Sequence, residues 1–205
     1  MFIESTTSAD KAGAGVISNM AIGEAMEAHG HYWVECHDAD GNLKWADEIE
    51  NAVCGEGKIS MLQNFINASA FTQTLYMGLI SSANYSTGPA ASNTAANIST
   101  TTATNGWCEA VAGTCAARQA PSFGSAVANG NNGRISLSTA RTFAIVGTDT
   151  IKGVFLLVKS SAAVAPTSTV GNTSGALYSA GLFSGGDKAV ANGDTLSVSY
   201  QSDLT

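Results

Sequence analysis

The stretch "HYWVECHDADGNLKWADEIE", residues 31–50, decides the fold class. Two segments with alternating apolar and polar residues flank Asp40-Gly41, a pair that tolerates the positive φ values of a type I′ turn. The pattern predicts a β-hairpin with Asp40 and Gly41 at its tip. The predicted cross-strand pairs are Cys36 with Trp45, Tyr32 with Ile49, His37 with Lys44 and Trp33 with Glu48.

One face of this hairpin is predicted to be buried and the other to face water, because successive side chains on a strand point to opposite sides. Asp47 is the one charged residue on the predicted buried face. The acids on the other face are interpreted as a solvated surface. The buried face comprises Tyr32, Val34, Cys36, Trp45 and Ile49, and the wet face comprises Glu35, His37, Lys44, Ala46 and Glu48.

The acids of residues 38–50 do not form a calcium loop. An EF-hand loop that began at Asp38 would need glycine at its sixth position and glutamate at its twelfth. Those positions hold Leu43 and Ile49. Turn chemistry is the better interpretation of this segment.

Charge is distributed unevenly over the 205 residues, whose net charge is -7. Residues 1–60 hold eleven acids against three lysines, and residues 61–205 hold five acids against six bases. No basic face is predicted that could contact phosphates, so nucleic-acid binding is not expected. Charged residues make up only 12% of the chain, about half the usual ~25%, so Ser, Thr, Asn and Gly must carry much of the wet surface.

No membrane partner is expected from the apolar segments. The longest apolar run is "VFLLV", residues 154–158, whereas a bilayer-spanning helix needs ~20 apolar residues. The first 15 residues contain Glu4 and Asp10 ahead of their first lysine and no long apolar run. We therefore expect a protein without a cleavable export signal, made in a reducing cytoplasm.

The four cysteines are predicted to be buried thiols, because disulfides are rare in a reducing compartment. Their spacing lacks the C-x2-C pairs of a zinc knuckle. Cys108 and Cys115 could approach each other across a turn, so a disulfide between them stays open as an alternative. The cysteines are Cys36, Cys54, Cys108 and Cys115.

The second half of the chain reads as short strands separated by turns. "RTFAIV" and "TIKGVFLLV" are predicted to form a hairpin through residues 147–149, and the unbroken run 154–158 predicts a strand covered on both faces. The last strand, "TLSVSY", places Leu196, Val198 and Tyr200 on one face. This pattern predicts a mainly β fold, an antiparallel β-sandwich of jelly-roll or immunoglobulin-like type.

Three segments lie outside this strand pattern. Residues 1–28 are predicted to be an extended N-terminal arm, or a frayed terminus, and residues 29–205 a single β-sandwich domain. One short helix is predicted after Gly57, with an apolar face made by Ile59, Leu62, Phe65 and Ile66. Residues 81–106 are predicted to be a long polar surface loop.

No catalytic, cofactor-binding or metal-binding residues are predicted. His29, His31 and His37 could project from one side of a strand, with Cys36 on the opposite side, which makes a poor metal cage. They are interpreted as surface histidines, with an interface or weak metal contact as the alternative. The acids of the second half lie mostly at turns, and "SGGDK" lacks the spacing of a phosphate loop. We therefore expect a protein that is not an enzyme.

Two quoted stretches resemble a family of small virion proteins from tailed bacteriophages. They are "YWVECHDADGNLKWADEIENAV", residues 32–53, and "GALYSAGLFSGGDKAVANGDTLSVSY", residues 175–200; "TLYMGLI", residues 74–80, matches as well. Together they cover about a quarter of the chain. The closing stretch is the more specific of the two.

The resemblance implies a structural protein of the virion. The first expectation is a capsid decoration or cement protein that binds the outside of the major capsid protein shell as a homo-oligomer, dimer or trimer. The alternative is a β-domain of a tail, fibre or baseplate that takes part in host recognition. The residues predicted to contact a partner are Phe2, Ile3, Val16, Ile17 and Tyr85.

Overall fold

The structure is a computed structural model that describes residues 27–65, 72–161 and 163–205. Its first strands are β1 (Ala28–His37) and β2 (Leu43–Val53), followed by helix α1 (Gly55–Phe65), β3 (Leu75–Ser81) and a single 3-10 turn at Ala95–Asn97. The remaining strands are β4 (Cys108–Glu109), β5 (Val127–Asn129), β6 (Asn132–Ser136), β7 (Arg141–Ala144), β8 (Asp149–Val158), β9 (Ala176–Leu182), β10 (Lys188–Val190) and β11 (Thr195–Leu204).

The strands form two antiparallel sheets that share β2. In the front sheet the order is β5-β6-β11-β1-β2, and β7 also pairs with β11. In the back sheet the order is β4-β3-β8-β9, and β10 also pairs with β8. The last two residues of β2, Ala52 and Val53, pair with β9 and so join the sheets. The predicted mainly β antiparallel sandwich with one helix is confirmed.

The main hydrophobic core lies between the two sheets. Alternate residues of β1 and β11 point inward from the front sheet, as predicted for both strands. Alternate residues of β3 and β8 meet them from the back sheet. The buried members include Tyr32, Val34, Cys36, Ile49, Met77, Leu79, Phe143, Val154, Leu156, Leu196, Val198 and Tyr200.

The run 154–158 is covered on both faces, as its unbroken apolar sequence predicted. Val154 and Leu156 belong to the core between the sheets, and Phe155 and Leu157 belong to a second cluster behind the back sheet. The long loop after β3 supplies Ala95 and Ile98 to this second cluster, next to Trp107. The loop therefore covers the outer face of the back sheet.

Side-chain amides hold this loop in shape. Asn105 pairs with both backbone groups of Thr94, at 3.2 and 2.9 Å. The indole N–H of Trp107 donates to the carboxamide oxygen of Asn93 at 2.9 Å. These bonds replace the backbone ladder that a strand would provide, so a polar low-complexity segment keeps its buried backbone satisfied.

The register of the β1–β2 hairpin is largely as predicted, but its turn differs. Three predicted pairs are confirmed: Cys36 with Trp45, Tyr32 with Ile49, and Trp33 with Glu48. The register then shifts, and His37 lies opposite Leu43, so the predicted pairing of His37 with Lys44 is wrong.

The reason is the turn itself, which is longer than a two-residue type I′ turn. Gly41 has a φ of +86° and donates its N–H to the carbonyl of Asp38 at 3.0 Å, whereas Asp40 does not have a positive φ. The Asp38 carboxylate accepts N–H groups from Asp40 and Asn42. A left-handed glycine after a turn is the usual device of a three-residue hairpin loop with a bulge.

The predicted hairpin between β7 and β8 is also wrong. Strand β7 pairs with β11 in the front sheet, whereas β8 pairs with β3, β9 and β10 in the back sheet. The connection crosses from one sheet to the other. At Gly147 the backbone passes so close to the carbonyl of Gly113 that a Cβ atom would lie 2.2 Å from it.

Helix α1 is present, but it begins at Gly55 and its predicted apolar face does not face the sheet. Ile59 and Leu62 are more than half exposed, whereas Gly57 and Ser60 are buried. A Cβ atom on Gly57 would lie 2.6 Å from the carbonyl oxygen of Tyr178, so only glycine permits this approach to β9. The side chain of Phe65 and all of Ile66 lie outside the described residues.

The predicted arm, residues 1–28, lies outside the described residues except for its last two. Ala28 is the first residue of β1 and pairs with Leu204, and Glu27 exchanges backbone hydrogen bonds with Thr205. Within the described residues no helix is long and apolar enough to cross a bilayer.

Trp45 is half-buried and packs against the core between the sheets. We expect Trp45→Ala to destabilise the protein by about 3 kcal/mol, at the low end of the range for removal of a large aromatic side chain. The Trp45 ring packs edge-on against Phe183 at 5.4 Å between centroids, and its N–H donates to the carbonyl of Ala189 at 3.2 Å. The matched control is Trp33→Ala, on the outward face of the same hairpin, which should cost less than about 1 kcal/mol. Urea unfolding of the two variants measures the difference, and equal losses would contradict the assignment of the faces.

Candidate functional site

Several acidic side chains are buried, and the structure uses them to connect separate segments. Glu109 and Arg118 are the most buried pair, with side chains 2% and 0% exposed. The guanidinium forms two hydrogen bonds of 2.7 Å to the carboxylate. Glu109 also accepts the N–H of Gly171 at 2.7 Å, and Arg118 donates to the carbonyl of Asn172 at 2.8 Å. The pair therefore fixes residues 171–172 against strand β4.

Asp47, the charged residue on the predicted buried face, makes a second connection of this kind. Its side chain is 6% exposed and lies 2.6 Å from the ammonium nitrogen of Lys188. It also accepts from the hydroxyl of Ser184 at 2.7 Å and the N–H of Gly185 at 3.0 Å. Burial alone would raise the pKa of Asp47, but Lys188 and Ser184 together lower it to about 2. An inward aspartate is thus satisfied by the turn before β10.

Two more carboxylates connect segments near the same end of the molecule. The Asp194 carboxylate accepts hydrogen bonds from the ammonium of Lys44 and from the N–H of Ala191. Burial raises the pKa of Asp194, but these two partners outweigh burial and the pKa is lowered overall. Asp149 accepts from the hydroxyl of Thr114 at 2.9 Å. Lys44 therefore points toward β11 instead of facing His37.

These carboxylates do not converge on a common point. Each one is engaged by its own basic, hydroxyl or backbone partner. In residues 27–65, 72–161 and 163–205, no group of three or more His, Cys, Asp or Glu side chains could hold a metal ion. The arrangement stabilises loops and strand ends.

The three histidines lie on the outer face of β1, and each approaches a different glutamate. His29 lies 3.2 Å from Glu27, and His31 lies 3.1 Å from Glu48. His37 is 3.9 Å from Glu35.

Next to His31 lies an exposed aromatic residue. The imidazole of His31 packs against the indole of Trp33, with centroids 4.2 Å apart, and Trp33 is 43% exposed. Both residues line a shallow groove that also includes Glu50, Asn51 and Gln201. The alternation of residues along the strand predicts the histidines on one side. It gives no signal that Trp33, on the same side, is an exposed aromatic residue in a groove.

Of the residues predicted to contact a partner, only Tyr85 is described. Its ring lies under the ammonium group of Lys152 at 4.3 Å, and its hydroxyl donates to the carbonyl of Gly88 at 2.8 Å. Tyr85 thus supports the long loop. Phe2, Ile3, Val16 and Ile17 lie outside the described residues, and partner contact by all five stays a prediction.

All four cysteines are buried free thiols, as predicted. Burial raises the pKa of Cys54 to about 12 and, with the nearby carboxylate of Asp194, raises that of Cys36 to about 11. Burial also raises the pKa of Cys108 and Cys115. Thiols in this state are inert, because the thiolate is the nucleophile.

One cavity lies between the sheets, at the end where β1 begins and β11 ends. Its volume is about 290 Å³. Residues from both sheets line it, and its wall is almost entirely apolar. The apolar lining residues are Leu75, Phe123, Ile135, Leu156 and Val158. Sequence patterns gave no signal for this cavity, because every one of these residues reads as ordinary core.

In comparisons with protein-family models, curated proteins and solved structures, the chain matches none of them. The resemblance to virion proteins of tailed bacteriophages therefore stays a prediction.

We expect Arg118→Met to destabilise the protein by about 3–5 kcal/mol, because it leaves the buried Glu109 carboxylate unpaired. The double variant Glu109→Leu/Arg118→Met should recover most of this loss. Arg134→Met is the control: it breaks the pair with Asp203, whose side chains are 35% and 22% exposed, and should cost about 1 kcal/mol or less. Urea unfolding measures all three, and a small loss for Arg118→Met would mean that the pair is not an effective connection.

Stability should fall at acid pH in part through Asp47. Its pKa is about 2 in the folded protein, against an ordinary value of 3.8. A lowered pKa contributes stability above pH 4, and this contribution is lost as the pH falls toward 2. After allowance for solvent screening we expect about 1 kcal/mol.

Asp47→Asn should therefore be less stable than the parent protein at pH 7, and the difference should close between pH 4 and pH 2. Asp40→Asn, at the exposed turn of the hairpin, serves as the control and should follow the parent throughout. Thermal unfolding across this pH range checks both. A constant difference between Asp47→Asn and the parent down to pH 2 would contradict the assignment.

Proposed function

We propose that this chain is a non-enzymatic structural protein of a tailed bacteriophage, a capsid decoration or cement protein that binds the outside of the major capsid protein shell. The observation that carries the proposal is the use of its buried and half-buried carboxylates. In the described residues Asp47, Glu109, Asp149 and Asp194 each connect segments distant in sequence. A domain stiffened in this way suits a protein whose work is contact.

The charge distribution supports an outer position on the shell. The outward face of the β1–β2 hairpin presents Glu35, Glu48 and Glu50, all exposed. Packaged DNA would repel an acidic face of this kind, whereas the exterior of a shell does not. The sequence resemblance to virion proteins is what favours a tailed-phage particle over other assemblies.

The exposed apolar side chains support a role in contact with a partner. Leu43, Ile59, Leu62 and Val127 are each more than half exposed. They lie at separate places: the hairpin turn, helix α1 and strand β5. Many copies on a shell would make several weak contacts of this kind effective together.

Trp33 supports the second candidate function, host recognition by a tail, fibre or baseplate domain. An exposed indole beside carboxylate and amide groups can pack against the apolar face of a sugar ring while the polar groups bind its hydroxyls. Trp33, Glu50 and Gln201 line one groove and provide these groups.

Purified particles distinguish the two functions. A cement protein should be present in hundreds of copies and should bind empty capsids when added back. The Trp33→Ala variant should bind these capsids as well as the parent protein does. A receptor-binding protein should be scarce, and Trp33→Ala should lose its adhesion to host cells. Absence of the protein from purified particles would overturn both candidates.

The predicted arm can be tested in the same assay. A variant that lacks residues 1–26 keeps β1 intact, because β1 begins at Ala28. We expect it to unfold at nearly the same temperature as the full chain and to bind empty capsids more weakly. Unfolding at ordinary temperature, or binding as strong as that of the full chain, would contradict a role of the arm in attachment.

A further inference from the structure

A groove on the outer face of the front sheet runs along the edge formed by β2. Its volume is about 410 Å³, within the ~300–1,000 Å³ range of ligand pockets. Trp33, Glu35, Ala46, Glu48 and Ser184 line it and together define the edge groove. Ala46 lies opposite Glu35 on the neighbouring strand, and its short side chain leaves open the space between the larger residues.

Trp33 is exposed on a face of the sheet where its neighbours are polar. It is 43% exposed, and Ser199 and Glu48 lie opposite it on the two adjacent strands. His31 and Glu35 flank it on the same side of β1, because alternate residues of a strand share a face. A small polar residue would suit this position without exposing an indole to water. Tryptophan and arginine are enriched at binding hot spots, so the indole is best explained by contact with a ligand.

The carboxylates beside the indole determine the charge of that ligand. Glu35 and Glu48 have side chains 58% and 59% exposed, and each approaches only a histidine, His37 at 3.9 Å and His31 at 3.1 Å. In the part of the chain that the structure describes, no lysine or arginine lines the edge groove, and Asp47 beside it already has a lysine partner. The groove therefore attracts a cation and repels an anion.

We propose that the edge groove binds an arginine side chain of another protein, with the guanidinium packed on the Trp33 indole and donating to Glu35 and Glu48. A guanidinium is planar, so it can stack on an aromatic ring while its N–H groups donate to carboxylates. A neutral sugar would stack on the ring but form no ion pair. The inference concerns the isolated protein and goes beyond both functions proposed above, because neither of them requires a cationic partner.

Two peptides that differ only in charge test the site. The probe is acetyl-Gly-Arg-Gly-Arg-Gly-amide, and the control peptide carries citrulline, an uncharged isostere, in place of both arginines. In NMR titrations of the full chain the arginine peptide should saturate in the millimolar range and shift the indole N–H signal of Trp33. The citrulline peptide should bind about fivefold more weakly or less tightly still. Added salt should weaken only the arginine peptide.

Two outcomes of this titration would overturn the proposal. The first is equal binding of the two peptides, or no saturable binding of the arginine peptide. The second is saturable binding of methyl glucoside that shifts the Trp33 signal when the arginine peptide does not, which would assign the indole to sugar recognition instead.

Substitutions at position 33 test the stacking contact. Trp33→Leu keeps an apolar side chain without a ring and should weaken the arginine peptide by about threefold to fivefold. Trp33→Phe keeps a ring and should have an intermediate affinity, because phenylalanine is a weaker partner for cations than tryptophan. Near-ultraviolet circular dichroism checks that both variants are folded. The parent affinity in folded Trp33→Leu would exclude the indole as the contact and overturn the proposal.

The double variant Glu35→Gln/Glu48→Gln tests the ion pairs, because it removes both charges and keeps the size of the side chains. It should weaken the arginine peptide by about fivefold and leave the citrulline peptide unchanged. Asp40→Asn is the control, since Asp40 is exposed at the hairpin turn and does not line the edge groove. It should bind the arginine peptide as the parent does. Equal losses in the double variant and in the control would reduce the effect to net charge and overturn the proposal.

Discussion

The structure depends on strand β2, which leaves one sheet and enters the other. Its first nine residues pair with β1 or form the hairpin, and its last two pair with β9. The two sheets can approach there because residue 181 of β9 is glycine. A Cβ atom on Gly181 would lie 2.3 Å from the side chain of Ile49. The apolar layer between the sheets therefore closes at this crossing, and Tyr32, Ile49 and Leu156 are buried together.

Because the chain has few charged residues, each buried ion pair is a large part of its total. With charged residues at 12% of the chain, few ion pairs are available, and the structure places several of them where loops meet strands. The pair of Glu109 and Arg118 lies in the interior, where leaving one partner unmatched is costly. Such contacts define one arrangement of the loops more than they add net stability.

The cavity and the outer hairpin face offer different chemistry. The cavity between the sheets is apolar and partly open to solvent. The hairpin face is open and acidic with an exposed indole, so it suits a large surface or a sugar. Gly30 and Asn51 lie between the two, since both line the groove on the outer side and Asn51 adjoins Tyr200 on the inner side.

The alternation of residues along single strands was sufficient to predict much of the fold. Tyr32, Val34 and Cys36 on β1, and Leu196, Val198 and Tyr200 on β11, point inward as their period of two requires, because that period is a property of one strand alone. The burial of residues 154–158 on both faces of β8 could also be predicted, because an apolar run without alternation has no polar side. The sequence predicts a turn at Gly41 but not its length. The length depends on the Asp38 carboxylate, which accepts the N–H of Asn42, and such a side-chain contact is not part of the strand pattern.

The sequence by itself therefore determined where most of the longer strands lie and which side of β1 and β11 is apolar. Only the tertiary structure decided which strands pair, since β7 joins β11 and β8 joins β3 through contacts between residues far apart in the chain. It also decided that helix α1 packs through Gly57 and Ser60, because close approach to β9 excludes the larger Ile59 and Leu62. The cavity arises from the spacing of two sheets, a distance that no local pattern contains.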